Sequence, residues 1–168
     1  MISLRPVTPA DQDFVLELYA STRADLAALS CDLAMRDRLI RMQSEAQQAH
    51  YRAHYPHAQV SLIVDAHGSR IGRLYIDREP HEIRLVDISL LPQYRRRGIG
   101  QLLLRALIAE GERAALPVRL SVLSGNPAIH LYQRLGFEGD GMMGAHYSME
   151  WRGDTSLVEG SRDAISLL

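Results

Sequence analysis

Cysteine is almost absent: Cys31 is the only one in 168 residues. That excludes an intramolecular disulfide and any cysteine-rich metal site. Net charge is nearly absent too. The formal value is −1, so no global basic field argues for nucleic acid, and local charge must carry any case for an anionic ligand. No apolar run is long enough to span a bilayer, and nothing at the N-terminus resembles a signal peptide. Repeats and low-complexity linkers are missing as well. The expectation is a cytoplasmic protein with no nucleic-acid or membrane partner. What is present is ordinary: 46% hydrophobic and 23% charged residues, which suits one globular domain with a single core.

The informative stretch is Leu90 to Leu107, LLPQYRRRGIGQLLLRAL. A strand-like run ends at Pro92, an arginine-rich turn follows, and a helix begins near Gly98. Arg95, Arg96 and Arg97 thus precede a helix N-terminus, which already presents partial positive charge and unpaired N–H groups. Three cations there oppose the dipole, at a cost of roughly a few tenths of a kcal/mol each. A bound anion reverses the sign of that interaction. Gly98 and Gly100 lack a Cβ, so backbone N–H groups can approach a bulky phosphate. These residues predict a pyrophosphate cradle at a strand–turn–helix junction; the competing reading is a solvated arginine cluster beside a helix start.

Two familiar phosphate loops are excluded. No Gly-Lys-Ser/Thr follows the glycines. Leu103 stands where the dinucleotide fingerprint needs a third glycine, and position 119 is Arg where a ribose-binding acid belongs. Arg95-x-x-Gly98-x-Gly100 after a strand ending in Pro92 resembles instead the acyl-CoA-binding motif of the GCN5-related N-acetyltransferase (GNAT) superfamily. A second block agrees in the family's order: Asn126-Pro127, then Leu131-Tyr132-x-x-Leu135-Gly136-Phe137. The resemblance covers residues 2 to 151 as a fold.

Along the chain, Ile2 to Arg5 reads as a strand. Thr8, Pro9 and Asp11 signal a helix start, followed by Phe14, Val15, Leu18 and Tyr19 at helical spacing. Residues 21 to 29 are helix or loop. Asp32 to Ala53 predicts a long helix with Leu33, Leu39, Ile40, Met42 and Ala46 as its apolar stripe, stopped by Pro56. Val60 to Val64 and Ile71 to Asp77 form a hairpin, and Ile83 to Leu91 a further strand. The helix from Gly98 to Ala114 has its stripe at Ile99, Leu103 and Leu107. Val118 to Leu123 is a strand, and Asn126 with Pro127 starts a helix that Gly136 caps. Phe137 begins a strand, Gly139-Asp140-Gly141 turns, and Ala145 to Trp151 pairs back. The expectation is a mixed α/β fold: a mostly antiparallel seven-stranded sheet flanked by about four helices, with residues 1–152 as the domain and 153–168 as a C-terminal tail.

Two polar features stand out. His50 and His54 share a helix face, but His57 lies beyond Pro56 and no acid completes a HExxH pattern, so no metal site is expected. Asp87 sits in a mostly apolar strand, where a carboxylate must be paired or perform chemistry.

The resemblance implies an acetyl-CoA-dependent N-acetyltransferase: direct attack of an amine on the thioester, without metal or covalent enzyme intermediate. It implies that pantetheine pairs along Leu90 and Leu91, with the Leu90 N–H donating to the thioester oxygen. Arg95, Arg96, Arg97, Gly98, Ile99 and Gly100 would hold the pyrophosphate. Tyr132 would protonate the departing sulfur, the competing role being an aromatic core residue, and Asn126 would contact coenzyme A while capping its helix. Asp87, in preference to Glu82, would be the base, or else half of a structural ion pair with an arginine. Residues 21 to 55 would choose the acceptor, a small-molecule or peptide amine. The resemblance and the apolar Ile165, Leu167 and Leu168 point to a homodimer. Two other functions fit the same residues: a non-catalytic acyl-CoA sensor, and a binder of ATP or NAD phosphates.

Overall fold

The structure is a computed structural model, and it describes residues 2–153. The C-terminal tail, with Ile165, Leu167 and Leu168, lies outside the described residues. Seven strands form one mixed, mostly antiparallel sheet in the order β1-β2-β3-β4-β5-β7-β6. They are β1 (Ser3–Pro6), β2 (Gln59–Val64), β3 (Arg70–Glu79), β4 (Glu82–Leu90), β5 (Val118–Leu123), β6 (Glu138–Met143) and β7 (His146–Trp151). Among the described residues the helices are α1 (Gln12–Ser21), α2 (Ala24–Ala27), α3 (Leu33–His54), α4 (Ile99–Ala114) and α5 (Ala128–Arg134). The short α2 resolves the segment that its sequence left between helix and loop.

The chain divides into two compact units: residues up to Arg78 with Leu85–Gly100, and Glu79–Arg84 with the residues from Gln101 onward. In the first unit, β1 pairs antiparallel with β2, and β2 with β3. Phe14 and Leu18 of α1 pack with Leu62, Val64 and Leu91, joined by Val7 and Tyr94. Each of the five buried side chains, taken from water, contributes roughly 1.5–3 kcal/mol. Asp11 ends the 3₁₀ turn that opens α1 and is buried at 2% exposure. It accepts from Arg5 at 2.7 and 2.9 Å, from Arg70 at 3.3 Å, and from the Thr8 N–H and hydroxyl at 2.9 and 2.8 Å. The Arg5 hydrogen bond above all holds its carboxyl far below the usual carboxylate range.

α3 begins where expected, with the Asp32 carboxylate accepting from the Met35 N–H at 2.8 Å. Its expected stripe is only partly right: Leu39 and Ile40 are half-buried, but the rest is exposed. Leu33 is 72% and Met42 58% exposed, and only Ser44 is buried. The face turned inward mixes Ile40 with polar residues at helical period: Gln43 meets Arg23, Gln47 meets Arg73, and Tyr51 meets the Tyr75 ring. Helix orientation here also follows hydrogen-bonding partners, Arg23 before α2 and Arg73 on β3, which periodicity of apolar residues does not report.

In the second unit, β5 pairs with β7, and β7 with β6, all antiparallel. Leu104 and Leu107 of α4 are buried, and so are Val118, Leu120, Met149 and Trp151. The buried positions of α4 thus run through Leu104 and Gly111 rather than Ile99 and Leu103. Gly111 is there for space: a Cβ would meet Val118 Cγ2 at 2.8 Å and the Leu116 carbonyl at 2.9 Å. The expected turn at Gly139-Asp140-Gly141 is also corrected. Those residues lie inside β6, where the register shifts between Gly139 and Gly141, and the chain reverses after Met143 at Gly144. Gly141 (φ +138°) absorbs the extra residue as a bulge instead of reversing the chain.

Candidate active site

β4 ends at Leu90, and Pro92–Tyr94 forms a 3₁₀ turn with proline at its first position. The Leu91 N–H donates to the Ile71 carbonyl at 2.9 Å. Leu91 therefore belongs to the ladder with β3 and brings no free N–H. Gly72 lies beside this strand end for lack of room: a Cβ there would meet the Ser89 carbonyl oxygen at 2.3 Å and Leu90 Cδ2 at 2.7 Å. Sequence reading missed Gly72; its signal was a glycine inside a strand pattern, which marks close backbone approach.

The arginine turn mixes extended and left-handed backbone. Arg95 is extended (φ −71°, ψ 157°), Arg96 is left-handed (φ +58°) and Gly98 is left-handed (φ +78°). Left-handed residues in such a turn can direct neighbouring N–H groups to one side. No neighbouring atom comes within 4 Å of a Cβ built at Gly98, so its requirement is conformation, and the space beside it is open. A left-handed arginine costs on the order of 1 kcal/mol, of the kind kept at functional turns. The Arg95 N–H is engaged by the Pro92 carbonyl at 3.2 Å. The donors left to this junction come from Arg96 to Gly100, since α4 starts at Ile99 and first-turn N–H groups lack intrahelical acceptors.

The three arginine side chains behave differently. Arg95 folds back: its Nε–H donates to the Leu90 carbonyl at 2.8 Å, and NH2 to the Ser21 carbonyl and hydroxyl at 3.0 and 3.1 Å. The Arg97 guanidinium lies 5.5 Å from the Tyr94 ring centroid. Arg96 and Arg97 are both exposed.

Asp87 is half of an ion pair. Arg73 NH2 donates to it at 2.8 Å, and the Ser89 hydroxyl donates at 3.1 Å. Arg73 is 5% exposed, it also donates to Gln47 at 3.2 Å, and its buried Nε has no partner among the described residues. Tyr51 of α3 is close enough that burial first, then the Asp87 charge, pushes its phenol up. Glu82 is fully engaged by Arg84 at 2.7 Å and Arg119 at 2.8 Å, and Arg119 also pairs with Glu150 at 2.5 Å. Sequence reading named the carboxylates but missed Arg73.

In the second unit, Asn126 caps α5 with its side-chain oxygen, which accepts from the Ala128 N–H at 2.9 Å. Tyr132 is buried at 7% exposure, its ring edge-on to Phe137 with centroids 5.9 Å apart. Gly136 adopts the expected left-handed cap (φ +89°). His50 and His54 stack at 4.0 Å, and the His54 Nδ1 is 2.9 Å from the His50 carbonyl. Among the described residues, no group of three metal-ligating side chains is gathered, and no helix is long and apolar enough to cross a membrane.

The fold is a seven-stranded mixed sheet in which a strand, an arginine turn and a helix follow one another. The chain belongs to the acetyltransferase (GNAT) family, whose model matches residues 27–137. An N-alpha-acetyltransferase of Sulfurisphaera tokodaii is 43% identical over 60 residues, 32% of this chain. The match spans about a third of that relative's length (34%). Among solved structures, the PaiA N-acetyltransferase of Thermoplasma acidophilum in complex with coenzyme A superposes with a TM-score of 0.67 at 19% identity, covering 91% of this chain and 99% of that one. An acetyltransferase of Thermus thermophilus gives 0.65 at 19% identity, covering 91% and 97%. These likenesses bear on the fold.

Proposed function

We propose that the protein transfers an acetyl group from acetyl-CoA directly to the amine of a small molecule or peptide. The observation that carries this reading is the turn from Arg95 to Gly100: left-handed at Arg96 and Gly98, open beside Gly98, and feeding the N-terminus of α4. The family, and coenzyme A in the PaiA complex, support acetyl-CoA as the anion it takes. N–H groups from Arg96 to Gly100 would hold the pyrophosphate, with Arg96 and Arg97 adding charge. Leu90, at the end of β4, would offer its N–H to the thioester oxygen as negative charge grows there. The Arg95 side chain and the Leu91 N–H are engaged elsewhere and are left out of that set.

The amine nitrogen would attack the carbonyl carbon, the C–S bond would break, and the sulfur would leave as a thiolate. Tyr132 is our candidate to protonate that thiolate, because a phenol is acid enough toward a basic sulfur. Asp87 is our candidate for the amine's proton. Its carboxylate lies on β4, 2.8 Å from the Arg73 guanidinium, on the same strand that ends at Leu90. The partial match to an N-alpha-acetyltransferase favours a peptide N-terminus in the acceptor panel.

The test is mass spectrometry of free-amine peptides and small amines incubated with acetyl-CoA. The chain contains no lysine, so self-acetylation at lysine cannot obscure the product. An acetylated acceptor supports the enzyme. Tight coenzyme A binding without product in any pool would favour the sensor. Thermal stabilisation by ATP or NAD in preference to coenzyme A would rule out both.

A further inference from the structure

We propose that Arg95 is a positioning residue that joins the cofactor turn to the end of α1, so that the segment following α1 is ordered together with the turn that reads acetyl-CoA. The proposal rests on the acetyl-CoA reading above. It departs from what charge alone suggests, since an arginine in a phosphate turn is first taken as a phosphate ligand.

The side chain makes a fork with two destinations. Nε–H holds the Leu90 carbonyl at 2.8 Å, which fixes the last peptide of β4. NH2 holds the Ser21 carbonyl at 3.0 Å and the Ser21 hydroxyl at 3.1 Å. The carbonyls of a last helical turn lack intrahelical partners, so an arginine is a good cap for them. Ser21 is itself tied down, its hydroxyl donating to the Leu18 carbonyl at 2.7 Å. Two residues later Arg23 continues the link. It donates to the Tyr19 hydroxyl at 2.6 Å, to Asp25 at 2.6 and 2.8 Å, and to Gln43 on α3. A path thus runs from the cofactor turn by hydrogen bonds through Arg95 to Ser21, along two residues of backbone to Arg23, and from there by a hydrogen bond to Gln43 of α3. A guanidinium is suited to this because it presents donors in a rigid plane; a single ammonium cannot serve both ends.

The backbone gives Arg95 a reason to be held. Its neighbour Arg96 sits in the left-handed region at φ +58°, a conformation that persists only when its surroundings over-determine it. The fork anchors the turn on its β4 side. Ordering the turn around a diphosphate then restricts the same arginine that caps α1, so freedom lost at one end is lost at the other.

Hydrogen exchange of the full chain, with and without coenzyme A, tests this together with calorimetric coenzyme A affinity. In the wild type, coenzyme A is expected to slow exchange in residues 90–100 and, by about threefold or more, in residues 18–29. In R95A and R95K, coenzyme A should still bind, within about tenfold of the wild type, and protect only residues 90–100. R97A should bind more weakly, yet at saturation still slow residues 18–29. Protection confined to 90–100 in the wild type would overturn the proposal without any variant, and so without regard to whether one folds. It would also be overturned by retained slowing of 18–29 in R95A, or by a greater loss of coenzyme A affinity in R95A than in R97A, the mark of a phosphate ligand. A wild type that does not bind coenzyme A removes the acetyl-CoA reading first and this one with it.

Discussion

Arg73 of β3 and Asp87 of β4 meet at 2.8 Å, and the arginine side chain is 6% exposed. The pair is oriented by Gln47 and Ser89, so it is fixed on both sides. Removing one partner leaves a charge buried alone, which costs about 3–5 kcal/mol, whereas replacing both by apolar groups is often near neutral. Asp87→Asn is therefore expected to lower Tm, and the R73M/D87L double variant to recover most of that loss. Activity separates structure from chemistry. If Asp87 accepts the amine's proton, the recovered double variant folds and binds coenzyme A but stays inactive. An active double variant would remove Asp87 from the base role.

Gly72→Ala tests the strand end that holds Leu90. The added Cβ would stand 2.3 Å from a backbone oxygen, that of Ser89, and backbone cannot swing aside as a flexible side chain can. Overpacking of this kind costs about 1–3 kcal/mol. Thermal unfolding is expected to fall by roughly 2–4 °C for each kcal/mol, and kcat/KM for acetyl-CoA to fall with it. An unchanged kcat/KM would mean that the position of the β4 end does not matter for the cofactor.

Tyr132→Phe keeps the edge-on contact with Phe137 and removes the hydroxyl. As a general acid, Tyr132 contributes on the order of a hundredfold or more to the chemical step. Single-turnover rates are expected to fall by about that factor while coenzyme A affinity is retained. A chemical rate equal to the wild type's would leave Tyr132 as an aromatic core residue.

Asp11 supplies a stability prediction with a definite sign. Its folded-state pKa is depressed, chiefly by Arg5. Its stabilising contribution is thus fully present above the unfolded carboxylate value of about 4 and is lost progressively as pH falls below it. Asp11→Asn should be less stable than the wild type at neutral pH, and the two denaturation midpoints should converge in acid. A constant difference between pH 7 and pH 2 would show that charge is not what Asp11 contributes.

Much of this was legible in one dimension. Six of the seven strands were readable from alternation and turn residues, because a strand's period is set by the backbone itself; of β6 only the start was read. Asn126 as a cap and Gly136 as a left-handed terminus followed from local chemistry, and both are observed. The inward face of α3 was not readable. Leu33 and Met42 are outside, while Gln43, Ser44 and Gln47 face in, because their partners, Arg23 and Arg73, are far along the chain. The Gly139–Gly141 bulge misled for a related reason. Glycine permits a turn and a bulge equally, and the pairing with β7 selects between them.

By itself the sequence determined the order of elements, the arginine turn and its glycines, since these depend on neighbours within a few residues and on the conformations that glycine and proline allow. Only the tertiary structure decided the partner of each charge: Asp87 with Arg73, Glu82 with Arg84 and Arg119, Arg95 with Ser21 and Leu90. A buried or bridging charge takes the partner that folding brings within about 3 Å, and separation along the chain, 74 residues for Arg95 and Ser21, carries no record of it.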